Sequence, residues 1–192
     1  SVLLELFKQS GVKFDSELST RLLIGICTDS GFFINPNAEP ALKQGSFLIE
    51  NGANYMERVI APILHNQPLN LMKYHSLLVM KLRINKEKKF AYSITTAEEV
   101  KRLKLNKADV RLGPNYLEDI KEFDFIFTLA ELDNEIKGSL RSRRGVDVSK
   151  IAEELGGGGH KLAAAFVLPK MPIEKAEKMV LEAIEKVGIN KN

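Results

Sequence analysis

The chain has 192 residues, 44% of them hydrophobic and 28% charged, with a formal net charge of +3 at pH 7. That composition builds one globular domain or two small ones, and so slight a positive charge excludes a general duplex-DNA binder. The single cysteine, Cys27, rules out an intramolecular disulfide and fits a reducing, cytoplasmic setting, no Cys/His cluster has zinc spacing, and no apolar run approaches the roughly 20 residues of a membrane span.

Ser1-Val2-Leu3-Leu4-Glu5-Leu6-Phe7 reads as an amphipathic helix rather than a secretory leader. It has neither an initiating Met nor a capping residue, so a piece of a longer protein is expected. Asp15 is placed to cap a second helix, in which Leu18, Leu22 and Ile26 recur at helical spacing up to Asp29-Ser30-Gly31. Helices are expected over Pro40 to Asn51, closed by Gly52, and over Tyr55 to Leu64. His65-Asn66-Gln67-Pro68 reads as a linker, followed by a connecting helix over Leu69 to Ile84.

Beyond Lys86 the period changes. Phe90, Tyr92 and Ile94 alternate as a strand, and Thr96 caps a helix running to Leu105. Phe123, Phe125, Phe127 and Leu129 alternate again, Asp133-Asn134 makes a hairpin turn, and the return strand covers Ile136 to Arg143. On that strand Ser139, Arg141 and Arg143 share one face, and Gly138, Leu140 and Ser142 the other. A short helix from Val148 to Leu155, started by Asp147, leads into a glycine loop. A strand over Ala163 to Leu168 and an amphipathic helix over Ile173 to Val187 complete the chain, the helix with Ala176, Met179, Val180 and Ile184 inward. The expected organisation is therefore a helical segment (residues 1–66), a connecting helix (67–85) and a mixed α/β domain (86–192).

Three features carry chemistry. Gly156-Gly157-Gly158-Gly159-His160 strips away side chains, so a phosphate or ribose can approach main-chain N–H groups with a histidine donor beside it. The same run also reads as a linker or turn, and it has neither P-loop nor dinucleotide-fold spacing. Upstream, Lys137 to Arg144 holds four positive charges and no acid, and arginine forks on a strand suit a phosphate as well as they suit a solvated surface. Asp29, between Thr28 and Ser30 at a helix end, reads either as a metal ligand or as a turn residue.

The segment from Lys137 to Ala152, followed by Gly156 to Ala164, resembles the DHH-associated domain of the DHH phosphoesterase family, in the branch of short-RNA oligoribonucleases and 3′-phosphoadenosine-5′-phosphate phosphatases related to RecJ. Leu23 to Phe32, around Asp29, resembles the last metal-binding motif of that branch's catalytic domain. The resemblance implies an α/β architecture: a helical remnant of the catalytic domain, a connecting helix and a small mixed α/β domain. It implies that Asp29 is a manganese (Mn2+) ligand. It also implies that Gly157, Gly158, Gly159 and His160 cradle a substrate phosphate or terminal nucleotide, and that Ser139, Arg141 and Arg143 grip the same end. Short RNA or a phosphorylated nucleotide is the implied ligand, no membrane partner is expected, and a homodimer stays open.

The chain departs from the family pattern in two ways. Ala165 stands where the motif usually carries glycine, and there is no Asp-His-His. His65 and His75 have no aspartate beside them and read as structural. One carboxylate cannot hold a two-metal site, so most of the catalytic centre is expected outside this chain. Two other readings remain: a non-enzymatic RNA-binding module like those attached to alanyl-tRNA synthetase, and a hydrolase of pyrophosphate, polyphosphate or cyclic dinucleotides. Phe166 and Tyr116 are aromatics that could stack on a base, though either also suits a core.

Overall fold

A computed structural model describes residues 2–34, 38–143 and 145–188. Ser1 and Arg144, both named above, lie outside the described residues. The chain divides into two compact units, Ser1–Gln67 and Pro68–Asn192.

The first unit is helical: α1 (Val2–Gln9), α2 (Ser16–Asp29), α3 (Glu39–Glu50), a π-helical turn (Met56–Ile60) and α4 (Ala61–Leu64). Asp15 caps α2 as expected, its carboxylate accepting from the Leu18 N–H at 2.8 Å. Leu4, Leu22, Leu23, Ile26, Cys27, Leu48 and Val59 form the core. Burial pushes the Cys27 thiol pKa up, which makes it inert packing. The helix expected over Tyr55 to Leu64 is instead a π turn running into a short α turn, with Pro62 in the first turn of α4.

The second unit is a sheet covered by helices. Its elements are α5 (Leu69–Met80), β1 (Arg83–Asn85), β2 (Phe90–Thr95), α6 (Ala97–Arg102), α7 (Lys107–Leu112), a 3-10 turn (Gly113–Tyr116), β3 (Phe125–Glu131), β4 (Glu135–Ser142), α8 (Val148–Glu154), β5 (Gly158–His160), β6 (Ala163–Pro169) and α9 (Ile173–Val187). Among the described residues, six strands form one mixed sheet in the order β1-β2-β3-β4-β6-β5. Only β2 and β3 pair in parallel; their connection, which must cross over, carries α6 and α7. Thr96 and Glu99 form a reciprocal capping box at the start of α6.

Alternation decides which side chain faces which layer. Phe90, Tyr92, Ile94, Phe125, Phe127, Leu129, Leu140, Phe166 and Leu168 form one core with Ala176, Val180 and Ile184 of α9 and Ile151 of α8. On the opposite face, Ala91, Ile126 and Ala130 meet Leu71, Tyr74 and Leu78 of α5 and Val110 of α7. Three expectations need correction. The connecting helix ends at Met80 and joins the second unit's core, and residues 83–85 form the edge strand β1, because Arg83, Ile84 and Asn85 pair with Tyr92, Ala91 and Phe90. The glycine loop is largely an edge strand, β5, laid against β6. The segment 106–116, for which no element was expected, folds as α7 and the 3-10 turn.

Candidate functional site

Strand register assembles the site. Arg141 of β4 pairs with Ala163 of β6, which pairs with His160 of β5. Directly opposed residues share a face, so Arg141 and His160 stand on one face of the sheet, two strands or about 10 Å apart, with a methyl group between them. The next row is Thr128, Ser139, Ala165 and Gly158. Small residues therefore floor the space between a guanidinium and an imidazole. Ser139 and Thr128 are buried, whereas Ala163, Ala165 and Gly158 are half-buried and His160 is exposed. The helical cover thus ends over β4, and the face opens over β6 and β5.

The four glycines play different parts. Gly156 takes φ +74° and stops α8; the next N–H, of Gly157, returns to the Ala152 carbonyl at 2.8 Å. A Cβ on Gly157 would lie 2.3 Å from the Ala165 carbonyl oxygen, and one on Gly159 would lie 2.6 Å from that of Ala163. Those two positions let β5 lie close on β6. A Cβ on Gly158 would meet only open space. Gly158 is the position where a ligand can approach the backbone.

Arg141 is half-buried. Its Nε donates to Asn115 Oδ1 at 2.8 Å and its Nη1 to the Leu140 carbonyl at 2.8 Å, while Nη2 has no protein partner among the described residues. Burial pulls its pKa below the ordinary range; Glu118 opposes this and the nearby Arg111 adds to it. A half-buried guanidinium, held by a neutral amide and repelled by the charge of Arg111, is stabilised by an arriving anion. Arg143 differs: its Nη2 and Nε meet Glu118 and Asp119, each at 3.1 Å. Ser139, 2% exposed, shares the face of Arg141, but its Oγ is covered and has no hydrogen-bond partner among the described residues. Of the expected contacts, the structure brings Arg141, Gly158 and His160 onto one face, while Gly157 and Gly159 serve the close packing of β5 on β6. It places Ser139 beneath them and ties Arg143 into an acidic pair. Sequence reading missed Asn115 and Arg111, whose signal was the Asn106/Asp109 capping box ahead of Gly113-Pro114.

Asp29 is the last residue of α2 and lines a cleft of about 530 Å³ with Arg21, Gly25, Ser30 and Gln44. Gly31, Phe32 and Phe33 follow it at φ +58°, +56° and +68°. Two non-glycine residues in that region cost of order 1–2 kcal/mol each; packing of the Phe33 ring against Gly45 helps hold the turn. Among the described residues no group of three or more His, Cys, Asp or Glu side chains is placed to hold a metal ion. Asp29 alone does not fit the paired manganese ions that the resemblance implies.

His75 on α5 is buried, its Nε2 has no hydrogen-bond partner among the described residues, and its ring stacks on Tyr116. Burial lowers its pKa from 6.5 to about 4. The unfolded chain therefore takes up a proton that the folded one refuses, and stability falls as pH drops from about 6.5 to about 4, by up to about 3 kcal/mol. His75→Phe should flatten this acid arm in urea unfolding compared between pH 7 and pH 5. An unchanged arm would place the acid sensitivity elsewhere.

Residues 87–188, more than half of the chain, match the DHHA1 domain family, and the chain belongs to that family. It is 29% identical over 177 residues to the bifunctional oligoribonuclease and PAP phosphatase NrnA of Thermus thermophilus, covering 91% of this chain and 52% of that protein. It is 26% identical over 186 residues to the A-adding tRNA nucleotidyltransferase of Aquifex aeolicus, covering 94% of this chain and 22% of that protein. The solved structure of an exopolyphosphatase-related protein from Bacteroides fragilis superposes with a TM-score of 0.84 at 23% identity, over 96% of this chain and 55% of that one; the two share the mixed α/β fold. The chain spans about half the length of the oligoribonuclease. No helix among the described residues is long and apolar enough to cross a membrane.

Proposed function

We propose that the chain is the substrate-holding part of a phosphoesterase that acts on short oligoribonucleotides or 3′,5′-phosphorylated nucleotides. The observation that carries this is the row Arg141–Ala163–His160 beside the open Gly158, a guanidinium and an imidazole on one face floored by small residues at a sheet edge. Arg141 Nη2 binds a terminal phosphate, Asn115 fixes the guanidinium plane, and His160 donates from the far side of the Ala163 methyl. Gly158 lets the ribose or phosphate reach the backbone. These residues bind and orient; none is placed to activate water. Similarity to an oligoribonuclease and PAP phosphatase supports the substrate class. The metal-bound chemistry, with manganese as the proposed ion and Asp29 as one ligand, then needs residues beyond this chain. A second reading, an RNA-binding module without catalysis, is favoured by the similarity to a much longer tRNA nucleotidyltransferase. It expects binding that does not depend on a terminal phosphate.

Adenosine 3′,5′-bisphosphate should shift the backbone amide resonances of Gly158, Gly159 and His160, whereas adenosine should not. No phosphate should be released when manganese is added to this chain. Shifts confined to other parts of the sheet would contradict the proposed face, and robust turnover would contradict the division of labour.

A further inference from the structure

The 3-10 turn that supplies Asn115 ends at Tyr116, which is 44% exposed. Its ring stacks on the buried imidazole of His75, so it is backed by a second ring rather than free to swing. Asn115, which grips Arg141 Nε at 2.8 Å, is its chain neighbour, with Cα atoms about 3.8 Å apart. A half-exposed aromatic, braced on one side by an imidazole, thus sits on the same turn as the amide that holds the guanidinium assigned to phosphate. The other aromatic singled out from the sequence, Phe166, is 1% exposed in the core and offers nothing to a ligand.

We infer that the Tyr116–His75 stack is a nucleobase platform that makes the site select nucleotides over pyrophosphate or sugar phosphates. The inference rests on the phosphate reading of Arg141. Every base has a π face, so the platform tolerates any base while rewarding its presence. His75, uncharged in the folded protein near neutral pH, braces the ring without adding a charge that would attract phosphate away from Arg141. Asn115 links the two halves: the side chain that orients the guanidinium and the ring that takes the base lie on one rigid turn.

The test uses the whole chain with 2-aminopurine riboside 5′-phosphate and ribose 5-phosphate as probes, and the variants Tyr116→Leu and Tyr116→Phe. Stacking quenches 2-aminopurine fluorescence. The unmutated chain and Tyr116→Phe should quench it on binding. Tyr116→Leu should bind the nucleotide about tenfold or more weakly, without quenching, yet hold ribose 5-phosphate as before. Equal nucleotide affinity in Tyr116→Leu, or binding to the unmutated chain without quenching, overturns the platform and leaves the phosphate site standing. Failure of the unmutated chain to bind either probe overturns both. The quenching measured on the unmutated chain decides the matter even if Tyr116→Leu does not fold.

Discussion

Gly138→Ala should destabilise the second unit by about 3 kcal/mol, at the upper end of overpacking costs. Gly138 on β4 pairs directly with Phe166 on β6, and the phenyl ring lies across the glycine. A Cβ built on Gly138 would fall 2.0 to 2.4 Å from three ring carbons. The ring cannot step aside, because Phe166 is packed into the core shared with α8 and α9. Phe166→Ala alone should cost about 3–5 kcal/mol by emptying the same space. The pair must therefore couple: in the Phe166→Ala background, Gly138→Ala should cost little or add stability. Urea unfolding of the four proteins of this cycle measures the coupling, and strictly additive losses would contradict the overlap. The consequence reaches the proposed phosphate face, because β4 and β6 carry Arg141 and Ala163.

Arg141→Ala should weaken binding of adenosine 3′,5′-bisphosphate by about 1–3 kcal/mol, with little effect on folding. The loss in binding is large because the guanidinium is half-buried and is not neutralised by a direct carboxylate contact, unlike Arg143 with Glu118 and Asp119. Arg143→Ala should accordingly change affinity far less, since removing a guanidinium already engaged by two carboxylates leaves Nη2 of Arg141 where it was. Arg141→Lys should not restore binding, because a lysine ammonium is a point charge that cannot both hold Asn115 in the guanidinium plane and present a fork to phosphate.

Most of the sheet was legible because its inner strands obey period two. Phe125, Phe127 and Leu129 face one core, as the alternation implies, whereas Phe123, expected with them, precedes β3 and packs in the opposite core; the split of β4 into an Arg141 face and a Leu140 face follows from the same rule. Edge strands were not legible. Gly158, Gly159 and His160 carry no apolar pattern, so β5 exists only by virtue of its pairing with β6. Arg83-Ile84-Asn85 is too short to show a period, and the apolar spacing of α5 runs straight into it. Alternation also tells which face a side chain takes but not what covers that face: Ser139 shares the face of Arg141, yet it is buried where Arg141 is not. The pairing of Arg143 with Glu118 and Asp119 spans some 25 residues and leaves no local trace. The motifs that resemble the DHH family hold the glycine run and Arg141, and strand pairing through Ala163 puts Arg141 and His160 on one face. Asn115 and Tyr116, lying in a turn outside the recognised motifs, came from the fold alone.

The Arg141–Ala163–His160 face is proposed to hold a nucleotide phosphate. Calorimetric titration of adenosine 3′,5′-bisphosphate into the chain and into its Arg141→Ala variant tests it most directly. Binding to the unmutated chain that weakens roughly 5- to 150-fold in the variant, while circular dichroism shows the same fold, is the predicted result. Equal affinity in the two proteins would contradict it.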